Sequence, residues 1–291
     1  MWIDMRKLKG LWDLIRLDHG LMLAVAVLIG AVIAKKGIPD DLVNLALAVS
    51  TAIFLEISTF SLNDYFDYPI DKLNKRMDRP LVRGDISPKT ALLITIIFFP
   101  LGLLSAFFVN ITCFIIALIT GMLALSYDIK LKKIKVFSNY YIAYTMAVPF
   151  LFGGVAFSPV IPPIIWVLSL MAFLSGVGRE IIKDVMDIEG DKKEKVKSLP
   201  LYIGNKNSFF IAGTFFLSAV IISLLPFLVK IDSTFYGNLV YLGVVSVPNI
   251  LFLWVTASLV IKNKPNVKLF RKLTLIAMML GLVAFLSGAL L

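Results

Sequence analysis

An all-α, polytopic membrane protein is the fold class that this sequence predicts, and two observations predict it. Of its 291 residues, 59% are hydrophobic and only 16% charged, more apolar surface than a soluble domain of this length buries. The apolar residues also fall in runs of about 17–25, the length that crosses about 30 Å of hydrocarbon as a helix. Alternating strands of the barrel type are absent, which leaves helices as the spanning element.

The runs predict nine transmembrane helices, near 18–34, 42–62, 90–109, 111–127, 137–157, 161–178, 209–229, 236–261 and 270–290. The third and fourth are joined by almost no loop. Residues 1–17 mix Trp2, Met5, Leu8, Leu11, Trp12 and Ile15 with Arg6, Lys7, Lys9 and Arg16, the pattern of an interfacial amphipathic helix. The first apolar run lacks a small-residue cleavage pattern, so a removed signal peptide is not expected. Cys113 is the one cysteine, so no disulfide forms within the chain.

Twenty-six of the 29 Lys and Arg residues fall on one side of this topology, leaving Lys35, Lys36 and Lys230 on the other. The asymmetry places the N-terminus in the cytoplasm and the C-terminus outside. It also accounts for the net charge of +10 through contact with anionic headgroups, so no nucleic-acid partner is implied.

The second span ends in Asn63-Asp64-Tyr65-Phe66-Asp67-Tyr68-Pro69-Ile70-Asp71. On a helix, Asp64, Asp67 and Asp71 share one face. Pro69 is expected to bend the chain just before Asp71. Like charges stacked this way repel, so something cationic has to offset them. The next loop is dense in Lys and Arg, Arg79 among them, and hard oxygen ligands beside guanidinium groups suggest Mg²⁺ bridging carboxylates to phosphates. The pattern then returns: a shift of 120 lays Asp64, Asp67, Asp71, Lys72, Lys75, Pro80, Leu81 and Gly84 on Asp184, Asp187, Asp191, Lys192, Lys195, Pro200, Leu201 and Gly204. A merely solvated loop explains the basic residues but neither the helical spacing nor its duplication.

The repeat implies a single domain over 1–291, built from parallel halves of about 1–135 and 136–262 plus an extra helix at 263–291. A pseudo-twofold axis along the membrane normal is then expected to bring the carboxylate rows face to face. Glu56, two turns before Asp64, is either a functional intramembrane carboxylate or a helix–helix contact. His19, the single histidine, reads as a solvated interfacial tip. Arg179 and Lys183 flank the second row beside Glu180. The loop after the fourth span, Tyr127-Asp128-Ile129-Lys130-Leu131-Lys132, offers a lysine near Tyr127 that could reach a phosphate. Aromatic residues at the span ends read as headgroup-belt or packing side chains.

At these residues the chain resembles the UbiA superfamily of intramembrane prenyltransferases. The family's Asn-Asp-x-x-Asp-x-x-x-Asp motif stands as Asn63, Asp64, Asp67 and Asp71, and its second Asp-rich motif as Asp184, Asp187 and Asp191. Arg16-Leu17-Asp18 is similar to the family's entry to the first helix, where an arginine meets the acceptor. The family's Tyr-x-x-x-Lys is altered here, since position 131 is leucine with lysines at 130 and 132. Within the family, Lys183-Asp184 to Asp191, followed by Ser198-Leu199-Pro200, looks most like the archaeal branch that prenylates geranylgeranylglyceryl phosphate.

The resemblance implies Mg²⁺-dependent transfer of a long prenyl group, geranylgeranyl by this branch, from its diphosphate to an acceptor. The six aspartates would be the catalytic and metal-binding set, holding two ions. Arg16, Asn63, Arg79, Tyr127, Lys130, Lys132, Arg179 and Lys183 would bind substrate, and Asp191 or Asp67 would be the base for a hydroxyl acceptor. An aromatic acceptor is the alternative reading, and a cation or lipid-phosphate transporter is the rival from another class. A transporter is expected to keep its carboxylates near the bilayer midplane, whereas here all but Glu56 sit at span ends.

Overall fold

The computed structural model describes residues 5–129, 131–193, 196–262 and 265–291. The chain runs α1 (Met5–Ile15), α2 (Leu17–Lys35), α3 (Leu42–Leu73), a one-turn α4 (Pro80–Arg83), α5 (Pro88–Val109), α6 (Ile111–Ile129), a 3₁₀ turn (Leu131–Lys133), α7 (Lys135–Phe157), α8 (Pro163–Lys193), α9 (Leu199–Leu228), α10 (Leu239–Ile261) and α11 (Val267–Leu290). Among the described residues the only β pairing is an isolated bridge between Ile134 and Lys197. Among the described residues nine helices, α2, α3 and α5–α11, are long and apolar enough to cross a membrane.

Most boundaries lie within a few residues of the sequence expectation, with three informative exceptions. The second span runs eleven residues further, through the whole aspartate row and past Pro69 to Leu73. No break occurs at the proline, because one missing amide near a helix C-terminus removes a single hydrogen bond. The sixth span likewise carries the second row inside α8. Tyr127, expected in a loop, lies within α6.

The third exception is α9, which starts ten residues early and contains Gly204 at φ 77°, ψ 166°, a conformation essentially confined to glycine. Its first turn therefore matches α4, which ends at Gly84 with φ 79° in the left-handed C-cap. The two glycines are partners in the 120-residue repeat, and Pro80 and Pro200 are both buried. The repeated glycines share a positive φ, though Gly84 is left-handed helical at ψ 12° and Gly204 extended at ψ 166°.

The chain divides into two compact units, Met1–Leu28 with Asp40–Lys130, and Ile29–Pro39 with Leu131–Leu291. In the first, α3 packs along α5, and Ser58 and Thr95 exchange side-chain to backbone hydrogen bonds across that contact. Helix α1 is fastened here by Arg83, whose guanidinium bonds both Asp13 and Asp85. In the second unit α8 packs along α7 and α9, around Val177, Ile181, Ile182, Phe209, Phe216 and Phe252. Near its other end Lys36 pairs with Asp232 at 3.4 Å, beside the packed rings of Phe235, Tyr241 and Phe285.

Two predictions follow from backbone and charge. A Cβ at Gly204 would meet nothing within 4 Å, so Gly204→Ala adds conformational strain alone; thermal unfolding in detergent should show a loss of about 1–3 kcal/mol. Burial works against the Asp232 carboxylate, but hydrogen bonds from Thr234 and the charge of Lys36 hold it below the usual carboxylate range. Its stabilising contribution should therefore be complete above the unfolded value of about pH 4 and vanish as pH falls through the lower folded value. Asp232→Asn should lose that contribution at neutral pH and flatten the acid limb of the melting curve.

Candidate functional site

Each aspartate row occupies the last turns of a long apolar helix, and the two rows show the same pattern of burial. Asp64 and Asp71 are buried on α3 while Asp67 is half-buried; Asp184 and Asp191 are buried on α8 while Asp187 is exposed. The i, i+7 members face protein and the middle member turns toward the surface. Carboxylates so placed in an apolar helix bundle need compensating charge.

In the first unit two arginines supply it. Arg16 and Arg79 both donate to Asp64 Oδ1, at 2.9 and 2.8 Å. Arg79 Nε also lies 3.5 Å from Asp71 Oδ2, and Arg76 lies 3.8 Å from Asp71 Oδ1. Arg16 sits between α1 and α2 with φ 44°, a strained value for a side-chain-bearing residue. Its guanidinium is fixed by Asp64 and by the Phe60 ring, 4.3 Å away. Asn63 donates to the buried Asp128 at 2.7 Å.

In the second unit one lysine does the same work. Lys135 Nζ, at the start of α7, lies 2.8 Å from Asp191, 3.3 Å from Asp184 and 3.9 Å from Asp187. One turn on, Asn139 donates to Asp184 Oδ2 at 2.7 Å. The lysine is positioned by backbone pairing, since its amide donates to the Lys197 carbonyl.

Of the residues expected to bind substrate, Arg16 and Arg79 meet the first row, and Asn63 meets Asp128. Arg179 and Lys183 do not meet the second row: both bond the buried Glu180, at 3.3 and 3.1 Å. Tyr127 is half-buried on α6, Lys132 lies in the 3₁₀ turn, and Lys130 falls outside the described residues. His19 contacts Asp18 and the edge of Phe60. Sequence reasoning missed Lys135, Asn139 and Asp128. A cue existed for the first two, since Lys135 and Asn139 are four residues apart at the head of a span and share a helix face.

Among the described residues no three His, Cys, Asp or Glu side chains converge to hold a metal by themselves. That is the ordinary situation for Mg²⁺, which is usually bound through one or two carboxylates together with substrate phosphates. The residues fit such an ion. Asp64 Oδ2 and Asp191 Oδ2 are buried and meet no hydrogen-bond partner among the described residues, and neither do the Nε groups of Arg79 and Arg179. Each unit thus holds a buried carboxylate oxygen without a hydrogen-bond partner among the described residues, beside basic side chains, an arrangement that suits a cation carried by a phosphorylated ligand.

Lys135→Met would leave Asp184 and Asp191 buried without their shared cation. A destabilisation of about 3–5 kcal/mol is expected in Mg²⁺-free detergent, with part of it recovered on adding millimolar Mg²⁺. Equal melting temperatures for variant and wild type would remove the charge-balancing role.

The model of the UbiA prenyltransferase family matches residues 23–280. A digeranylgeranylglyceryl phosphate synthase from Archaeoglobus fulgidus is 45% identical, over 98% of this chain and 96% of its own length. One of the same name from Methanocaldococcus jannaschii is 37% identical, over 99% of each chain. A solved structure of digeranylgeranylglyceryl phosphate synthase superposes with a TM-score of 0.83 at 36% identity, covering 98% of this chain and 99% of that one. A UbiA homolog from Archaeoglobus fulgidus bound to GPP and Mg²⁺ shares the fold, with a TM-score of 0.67 at 21% identity over 97% of this chain and 100% of that one.

Proposed function

Because the chain belongs to the UbiA prenyltransferase family, we propose that it transfers a geranylgeranyl group from its diphosphate to the free hydroxyl of geranylgeranylglyceryl phosphate. The observation that carries the reaction class is the pair of matched aspartate rows, each with a vacant buried oxygen beside basic side chains. The full-length relatives that bear the synthase name support the choice of acceptor.

Asp64, Asp67 and Asp71, and Asp184, Asp187 and Asp191, are the residues that would hold two Mg²⁺ ions. When bound, Mg²⁺ supplies positive charge that stabilises the departing diphosphate. Arg79 and Lys135 neutralise the rows before substrate arrives and turn to phosphate oxygens once the carboxylates are otherwise engaged. The C1–O bond of the prenyl diphosphate breaks, its electron pair leaves with pyrophosphate, and the acceptor oxygen forms the new ether bond at C1. The acceptor proton passes to a carboxylate, for which Asp67 and Asp191 remain the candidates. Apolar helix walls keep water from the allylic cation. The basic residues set the N-terminus and the reaction on the cytoplasmic side.

Incubation with radiolabelled geranylgeranyl diphosphate, Mg²⁺ and a panel of glyceryl phosphate and aromatic acceptors tests this directly. Label should appear in a doubly prenylated glyceryl phosphate and depend on Mg²⁺. Asp64→Asn and Asp184→Asn should each lower kcat at least about 100-fold while the protein remains folded by size-exclusion chromatography. Near-normal turnover in either variant would refute the assignment of the rows.

A further inference from the structure

A second basic cluster lies apart from the aspartate rows, on α8 and α11 of the second unit. Arg179 and Lys183, one turn apart on α8, share the buried Glu180. Arg271 stands on α11 next to Phe270, which packs in the same core as Val177, Ile181 and Ile182 of α8. Its neighbours Lys268 and Lys272 are exposed, as topology-setting lysines are, whereas Arg271 is half-buried.

The counter-charge falls short. Between Glu194 and the C-terminus, Asp232 is the only acidic residue, so α9, α10 and α11 offer these cations no carboxylate. Glu180 is shared by Arg179 and Lys183, and Arg271 adds a third positive charge from α11. Arg179 is mostly withdrawn from solvent, with 14% of its side chain exposed, and its Nε meets no hydrogen-bond partner among the described residues. Two cations sharing one carboxylate, with a further guanidinium on the packed helix, leave an excess of positive charge that suits an anion, and a guanidinium suits a phosphate through paired N–H donors.

The cluster is also unduplicated. The 120-residue shift places Thr59, Phe60 and Asn63 opposite Arg179, Glu180 and Lys183, and α11 belongs to neither half of the repeat. A diphosphate served by duplicated aspartate rows is already matched by Arg79 and Lys135. Cations present in only one unit point to a ligand that only one unit handles. Lys183 and Asp187 are four residues apart on α8, about 6 Å of rise, so a ligand anchored on the cluster reaches the second row through a short linker such as a glycerol.

We propose that Arg179, Lys183 and Arg271 form the subsite for the phosphomonoester of the lipid acceptor, separate from the residues that hold the donor diphosphate. This assignment rests on the reading of the acceptor as a glyceryl phosphate. It frees Arg16 from an acceptor role, consistent with its engagement by Asp64 and Phe60.

The test is equilibrium binding in Mg²⁺-free detergent micelles, comparing wild type with Arg271→Gln. The probes are geranylgeranylglyceryl phosphate, phosphate-free geranylgeranylglycerol, geranylgeranyl diphosphate and inorganic phosphate. Wild type should prefer the phosphorylated acceptor to the phosphate-free one. Arg271→Gln should weaken the phosphorylated acceptor about tenfold or more and leave the other lipids unchanged. Equal binding of the two acceptors to wild type, an unchanged variant, or equal weakening of donor and acceptor would each overturn the assignment. So would inorganic phosphate competing as well as the lipid, which would make the cluster a free-phosphate site. If Arg271→Gln does not fold, Arg271→Lys keeps the charge but loses the paired donors; it should still bind the phosphorylated acceptor several-fold more weakly, and no change would overturn the assignment. Wild type that binds the phosphorylated acceptor selectively yet fails to prenylate it would sink the proposed reaction and leave the subsite standing. Prenylation with phosphate-indifferent binding would do the reverse.

Discussion

Four carboxylates buried in apolar helices set the terms for this structure. An ionised carboxylate removed from water costs several kcal/mol unless a cation and hydrogen bonds replace its hydration. Asp64 and Asp71, and Asp184 and Asp191, lie 6% exposed or less. Their neutralisers are drawn from outside the two helices that carry them: Arg16 from the α1–α2 junction, Arg79 from the head of α4, and Lys135 from the head of α7. The cations thereby tie surface segments to the helix ends. The left-handed backbone at Arg16 is held in place by such a tie, since the strain of about 1–3 kcal/mol is opposed by a charged hydrogen bond and a ring contact.

The repeat shows which parts of this solution are obligatory. Both units keep the carboxylate spacing, the burial of the first and last members, a buried proline and a glycine with positive φ ahead of the next span. The neutralising cations differ in kind and origin. Two guanidinium groups converge on one oxygen of Asp64, while a single ammonium spans all three carboxylates of the second row. A guanidinium presents a planar fork, whereas an ammonium is a compact point charge on a flexible stem. The carboxylates are therefore the element common to both units, while the cations differ in kind and in number.

That distinction also explains what could be read without coordinates. Aspartates at i, i+3, i+7 carry a geometric signature, and their return 120 residues later makes it specific. The nine apolar runs were equally legible, although the apolar signal stops where α3 and α8 become polar and so hides the last turns of both helices. Lys135 left no comparable trace. It is one of four lysines in six residues, all of which satisfy the topology bias, and only the bridge between Ile134 and Lys197 selects it for the second row. Arg179 and Lys183 were visible as residues near the row, but their partner, Glu180, follows from which way the α8 side chains turn. Arg271 had no motif at all, since its significance lies in the absence of acidic residues on the helices around it.

The pairing of rows and cations bears on how a charged substrate would be admitted. The first row lies beside three arginines, whereas the three carboxylates of the second row share the single ammonium of Lys135, so the second row keeps the larger need for an added cation. On the proposed reading, a magnesium-bound diphosphate would bring both signs of charge at once, offering a cation to the carboxylates and phosphate oxygens to the guanidinium and ammonium groups. Neither partner then passes through an unpaired state in a low-dielectric setting, where the penalty would be several kcal/mol. A bare divalent ion or a bare anion would satisfy one side of each pair and strand the other. Under that reading, preference for the complete metal–diphosphate complex would come from charge pairing at the rows and would need no dedicated metal cage.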